Sequence, residues 1–194
     1  MRMPIGFAAI LSLLLSGSPA QATVLKYMGL TDLAELSTSV IRGEVIAQKV
    51  VQEEGHIWTD SSVRVSRVIR GKVAAGQVLV MRQLGGETPT RGERVAGMAQ
   101  FSLGENVLVF ARDVGGRFHV PVGACLGKFS VYLDDKGERR VRRHLDDAAF
   151  ARFNAAGRMT IRHGVTLTQE SDMTLAALLA AITPRTTPVE GGAK

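Results

Sequence analysis

Cysteine is nearly absent from this chain, and the absence narrows both its chemistry and the way it is held together. Cys125 is the single cysteine, so no disulfide can form within the chain and its core must rest on burial. The flanking Gly123-Ala124 and Leu126-Gly127 are small or apolar, which predicts a buried hydrophobe and not a reactive thiolate. Aromatic residues make up only 5% of the sequence, and its arginine-rich part offers Phe150 and Phe153 alone. That excludes a base-stacking platform, and no nucleic-acid partner is expected. His56, His119, His144 and His163 show neither HxH nor HxxxH spacing, and CxxC is missing; no metal and no other cofactor is expected. GxSxG, HExxH and the phosphate-binding loop are missing as well. Cys125 and His119 are the one cysteine–histidine pair close in sequence. Alternation through Phe118, Val120 and Val122 places His119 on the opposite face, toward solvent, so no catalytic residue is assigned. The acidic pairs Glu53-Glu54 and Asp134-Asp135 fall in turns, where solvation explains them.

Apolar runs of membrane-spanning length are also missing. The longest, Ile5–Leu15, follows Arg2 and precedes Ser16-Gly17-Ser18-Pro19 and Ala20-Gln21-Ala22. This is the pattern of a secretory leader, so residues 1–22 are read as a signal peptide cut after Ala22. The expected location is exported, periplasmic or secreted, with no membrane span once the leader is removed.

What the sequence does contain is a succession of strand patterns. A short helix over Asp32–Ser39, capped by Thr31-Asp32, carries Leu33 and Leu36 at helical spacing. From Val40 the period becomes two, with Ile41, Val45, Ala47 and Val51 on one face. Glu53-Glu54-Gly55 reads as a turn and His56–Arg70 as the returning strand, with a bulge near Ser66–Val68 where Arg67 breaks the apolar parity. Val78–Leu84, Asn106–Arg112 and Lys128–Leu133 follow as strands. Asn106–Arg112 is apolar on both faces, which suits burial on both sides. After the tight turn at Asp134–Glu138 the strand holds only Val141 as an inward apolar residue, and is read as a charged edge. Asp146–Asn154 reads as a helical turn and Arg158–Leu167 as extended. A final helix, capped by Ser171 or Asp172, carries Leu175, Leu178, Leu179 and Ile182 and stops at Pro184. The fold expectation is mainly β: an antiparallel, strongly coiled OB-like barrel of about six to eight strands, with a short N-terminal helix and a C-terminal helix. The division is a signal peptide over 1–22, a β-barrel domain over 23–145, a C-terminal extension with its helix over 146–184, and a disordered tail over 185–194.

Lys and Arg number 24 against 18 Asp and Glu, a formal charge of +6. The excess gathers in Arg139, Arg140, Arg142, Arg143, Arg152, Arg158 and Arg162. Such a strip suits an anionic surface or polyanion, or simply a solvated edge. The segment Gly85–Gly97 holds four glycines and Pro89 and exceeds an ordinary hairpin loop, which makes it the best candidate for a functional loop, the alternative being an ordinary irregular connection. Its polar residues Glu87, Arg91, Glu93 and Arg94 are the expected contacts. Trp58, the only tryptophan, has the parity of an outer face and is read either as a binding anchor or as packed beneath a loop.

Several short runs follow one another in a recognisable order. They are Ser39-Val-Ile-Arg-Gly-Glu-Val45, Trp58-Thr59, Val68-Ile-Arg-Gly71, Gly85-Gly86, Val95-Ala-Gly-Met98, Phe101-x-x-Gly-Glu-x-Val-Leu-Val-Phe110 and Leu126-Gly-Lys-Phe129. Over about Asp32–Leu133 this resembles a family of exported, uncharacterised bacterial β-barrel proteins. The resemblance implies a compact barrel similar to the OB-like modules of netrins and metalloprotease inhibitors. Those modules use a disulfide-linked N-terminal cysteine that this chain lacks. The exclusions and the loop together point to a non-enzymatic exported binding module whose partner is an exported protein such as a secreted protease. An exported enzyme and a polyanion binder through the Arg139–Arg162 strip are the alternatives.

Overall fold

Alternating apolar residues from Val40 to Arg70 build the longest feature of the chain, a hairpin of two fifteen-residue strands, β2 (Ser39–Glu53) and β3 (His56–Arg70). They come after β1 (Val24–Lys26) and α1 (Leu30–Leu36). The computed structural model describes residues 24–183. The expected leader and its cut, Pro184 and the tail over 185–194 lie outside the described residues. Register shifts interrupt the hairpin at Val40/Ile41, Arg42/Gly43 and Val45/Ala47, the first two leaving Ile69 and Ser66 without a counterpart. The first two are the bulge expected near Ser66–Val68; the third leaves Ile46 extra in β2 and turns Ala47 and Val51 to the face opposite Val45, against the single face expected for them.

The hairpin continues into β4 (Val78–Leu84), antiparallel to β3. Two short strands, β5 (Gly86–Glu87) and β6 (Gly92–Glu93), then form a miniature hairpin of their own. Next comes β7 (Asn106–Val114), which pairs with Ser39–Glu44 of β2 along one edge. Its other edge is shared: β9 (Lys128–Leu133) takes the first half and β8 (Phe118–Pro121) the second. Since β8 also meets β4 at His119 and Met81, the pairings run β7, β2, β3, β4, β8 and return to β7. The chain turns between β8 and β9 through a 3-10 turn at Ala124–Gly127. A Cβ on Gly127 would stand 2.2 Å from the Val122 carbonyl oxygen, so this corner is closed to any larger residue.

The molecule is therefore mainly β with a strongly coiled sheet, but it is not antiparallel throughout. The β4–β8 contact is parallel, and so is the pairing of β1 with β11 (Ala149–Phe153). With β12 (Met159–His163), β1 and β11 make a separate three-stranded sheet. The segment expected as a helical turn over Asp146–Asn154 is thus a strand. Alanines permit a helix there, but pairing with β1 from the other end of the chain buries Ala149, Phe150 and Ala151. After α2 (Gly164–Glu170), β13 (Met173–Thr174) covers Arg140 and Val141 of β10 (Arg139–Arg142). The strand expected as a bare charged edge is therefore partly covered. Finally α3 (Leu175–Ile182) is capped by Thr174, whose Oγ1 accepts from the Ala177 N–H, and not by Ser171 or Asp172. At the other end, α1 starts before the expected Asp32, because the Asp32 carboxylate accepts from the Gly29 N–H.

Two cores share β7. Val107, Val109 and Ala111 join Ile41, Val45, Val63, Val65, Leu79, Met81, Ala99 and Phe101 inside the coiled sheet. Leu108 and Phe110 point the other way, into a second core with Leu33, Leu126, Phe129, Val141, Phe150 and Leu178. The expectation of a strand buried on both faces holds: Val107 to Ala111 are all inaccessible. No helix among the described residues is long and apolar enough to cross a membrane.

Candidate binding site

The segment over 85–97 is an ordered hairpin pinned at both ends. At its start Gly85 has φ 102° and Gly86 φ 152°. Cβ atoms on them would stand 2.8 Å from the Glu93 carbonyl oxygen and 2.6 Å from Thr59 Oγ1. Only glycine allows both the turn and this closeness. Thr59 Oγ1 donates to the Gly85 carbonyl at 2.7 Å, and Thr88 closes the tip through its N–H and hydroxyl to the Arg91 carbonyl. At the far end the Gly97 N–H reaches Asp147 and the Gly97 carbonyl accepts from the Cys125 N–H.

Glu93 is the principal tie. Its carboxylate accepts from the Ile57 N–H at 3.2 Å and lies 3.7 Å from His56 Nδ1 and 3.5 Å from Arg91 Nη2. Arg91 in turn donates to the Gly55 carbonyl at the tip of the β2–β3 hairpin. These two residues hold the loop in place. A hollow of about 270 Å³ at that tip is lined by Arg91, Glu53, Glu54 and His56 among others.

Beneath the loop runs a groove of about 480 Å³, bordered by Glu87, Glu93, Arg94 and Val95 above and by Gln48, Thr59 and Gln83 of the sheet below. Gln83 Oε1 is buried there without a hydrogen-bond partner among the described residues. The groove adjoins a second cavity of about 290 Å³, with Arg94, Met98, Ala99 and Gln100 common to both. Cys125, His144, Asp146, Asp147, Glu105 and Lys128 also line the second cavity. Arg94 stands over the boundary, 78% exposed and 3.9 Å from Asp147.

At the floor of the second cavity, Lys128 is only 4% exposed. Its ammonium donates to Glu105 Oε1 and to Ser130 Oγ, and the Ser130 hydroxyl donates to the same Glu105 oxygen. The Phe101 ring centroid lies 5.7 Å from Nζ. Burial pulls the lysine pKa down, while the neighbouring Glu105 carboxylate opposes that shift. Burial also lowers the His144 pKa, helped by Lys128 and Arg142. The same cause pushes Cys125 up to about 12, with Asp147 adding to it. That thiol is buried, as expected, and is not a nucleophile at neutral pH.

Of the residues expected from sequence, Glu87, Glu93 and Arg94 line the groove, while Arg91 lies at the hairpin tip. Trp58 lines neither cavity. It lies on the outer face with its ring 6.0 Å from the Arg82 guanidinium, which Asp60 grips at 2.7 and 2.8 Å and Glu53 at 2.6 Å. Those carboxylates, Asp60 foremost, hold the Arg82 pKa above its ordinary value against desolvation. His119 does not face solvent: it is half-buried, its Nδ1 is without a partner among the described residues, and burial lowers its pKa. The reason is β8, which lies between β4 and β7 and has neighbours on both edges.

The arginine strip is dispersed. Arg140 pairs with Asp172 at 2.9 Å, Arg142 lies over Tyr132, and Arg152 over Tyr27. Arg143 is buried with its guanidinium 4.6 Å from the Phe129 ring centroid. Sequence reasoning missed Lys128, Glu105 and Gln83. The signal for the first was a lysine set between Leu126-Gly127 and Phe129, at the start of a strand. Family models, curated proteins and solved structures gave no match to this chain. The family resemblance rests on the motifs alone, two of which supply Glu105 and Lys128.

Proposed function

We propose that this chain is an exported, non-enzymatic binding module built on an OB-like barrel, and that the 85–97 hairpin with the groove beneath it makes the contact. One observation carries the reading. A loop too long for an ordinary turn is fixed by Glu93 and Gly97 above a groove that adjoins a second cavity. Pre-organised loops of this kind bind without the entropy loss of ordering. The partner class is an exported protein, such as a secreted protease, presenting a segment that enters the groove; Arg94 and Glu87 offer it charge and Gln83 an unmatched acceptor. The ring of pairings through β7, β2, β3, β4 and β8 supports the OB-like form. The enzyme reading has less behind it, because Cys125 is held protonated. The polyanion reading is weakened by the burial of Arg143 and the pairing of Arg140.

Deleting Thr88–Gly92 tests the site. The shortened protein keeps its far-UV circular dichroism, since shortening a loop costs little entropy, and no longer captures the exported protein that the intact chain retains from a culture supernatant or periplasmic extract. A folded deletion variant that retains the same protein with equal affinity refutes the assignment.

A further inference from the structure

The outer half of β2 is half of a ladder. Over Ala47–Glu53 it pairs with Gln52 to Ile57, Lys49 to Asp60 and so on along β3, but no strand among the described residues lies on its other edge. β7 leaves that edge after Glu44. The last backbone bonds there are at Val45, whose N–H donates to Glu105 and whose carbonyl accepts from Gly104. Beyond them, among the described residues, only the Gln48 side chain reaches across, to the Phe101 carbonyl at 2.8 Å. Open backbone donors and acceptors on an exposed strand are a template for another strand.

The side chains on the outer face of this edge have a definite order. Lys49, Val51 and Glu53 stand opposite Asp60, Trp58 and His56 of β3, so all six share one face. Lys49 is exposed and makes no ion pair or side-chain hydrogen bond among the described residues. Glu53 binds Arg82 at 2.6 Å yet keeps 43% of its side chain exposed. Lys49 and Glu53 are equally distant from Val51 along the strand, with opposite charges. Such a strand is its own complement under a two-fold axis.

We infer that two copies of this chain pair antiparallel through the Ala47–Glu53 edge, about an axis at Val51. Lys49 of each copy then faces Glu53 of the other, and Val51 faces Val51. Charges alternate without a break across the junction, from Arg82 through Glu53 to Lys49 and Asp60 of the second copy. A foreign strand would have to reproduce this spacing of lysine and glutamate to fit as well. An edge lysine discourages indiscriminate pairing, so only the matched complement is accepted. This pairing is independent of the groove, which lies on the inner face of the same hairpin.

Sedimentation of the chain without its leader over 1–22 reads the result. The mass should rise with concentration from that of one copy toward twice that value. Lys49→Glu and Glu53→Lys should each weaken the dimer by about ten-fold or more, and an equimolar mixture of the two should restore it. Val51→Cys should form a disulfide-linked dimer under mild oxidation, whereas Val50→Cys, whose counterpart is residue 52, should do so far more slowly. A monomer at every concentration overturns the inference. So does a dimer indifferent to both charge reversals, or a mixture that fails to restore pairing. Protection of the edge amides from hydrogen exchange in a monomer overturns it too, because the chain's own terminal residues would then occupy the edge.

Discussion

The two cores on either side of β7 were assembled in different ways. The one inside the coiled sheet is made mostly of aliphatic residues from β2, β3, β4 and β7, with Met81 fully buried among them and Phe101 as its one aromatic. The one outside gathers Leu33 from α1, Phe110 and Phe129 from the sheet, Phe150 from β11 and Leu178 from α3. The first is a product of period-two patterning; the second depends on segments far apart in the chain and holds the larger side chains. Removing volume from the second should therefore cost more, and neighbouring residues of β7 make the comparison within one strand. Phe110→Ala should lower the unfolding free energy by about 3–5 kcal/mol. Val109→Ala, which removes less surface into the inner core, should cost about 2 kcal/mol. Urea titrations give both values, and equal losses would mean that the two cores are not distinct in the way described.

The polar junction beside the inner core sharpens the comparison. Lys128 and Glu105 are held together in a setting that shields them from water. Breaking such a pair from one side leaves the other charge buried, at a cost of about 3 kcal/mol. Glu105→Gln should show that loss in urea unfolding. Replacing both, with Glu105→Leu and Lys128→Met together, should recover most of it. A double variant no more stable than Glu105→Gln would show that the pair fixes the geometry of the cavity floor and is not merely tolerated there.

These contrasts also explain what could be read from the residues beforehand. The inner core was legible because Ile41, Val45, Val63 and Val65 repeat at the spacing that a half-buried strand requires, and Val107–Ala111 is apolar without interruption. The bulge near Ser66–Val68 was legible because Arg67 interrupts that repeat. The outer core was not. Nothing in Ala149–Phe153 announces a parallel partner at Val24–Lys26, so local helix formers outweighed an unseen neighbour. Arg143 reads as a surface charge, yet it is buried over the Phe129 ring with its backbone N–H bonded to Ser171. At the candidate site the loop, Glu87, Glu93 and Arg94 could be named from composition. Lys128 and Gln83 could not, because their significance comes from the segment over 94–101 folding back across the sheet.

Cys125 offers the smallest effect and the cleanest reading, since at neutral pH its ionisation contributes nothing. Its thiol is raised from 9.0 to about 12, chiefly by burial, with Asp147 adding to the shift and Arg143 opposing it. In the unfolded chain the thiol ionises near its ordinary value, while in the folded chain it stays protonated. Between those two values the folded state therefore binds more protons than the unfolded one, and stability must fall as pH rises. Below about pH 8, under the unfolded thiol's range, both states hold the proton and the contribution is flat. Other groups titrate in the same alkaline range, so the quantity to measure is the difference between the native chain and Cys125→Ala. That difference should be constant from about pH 6 to 8 and should then shift against the native chain as pH rises through the thiol range. Iodoacetamide at about pH 9 should label the native thiol only as fast as the chain opens, because the thiolate that reacts is absent from the closed form. Rapid labelling of the folded protein, or a difference that does not change with pH, would place Cys125 in contact with solvent through the cavity it lines and remove the main argument that this cavity binds without reacting.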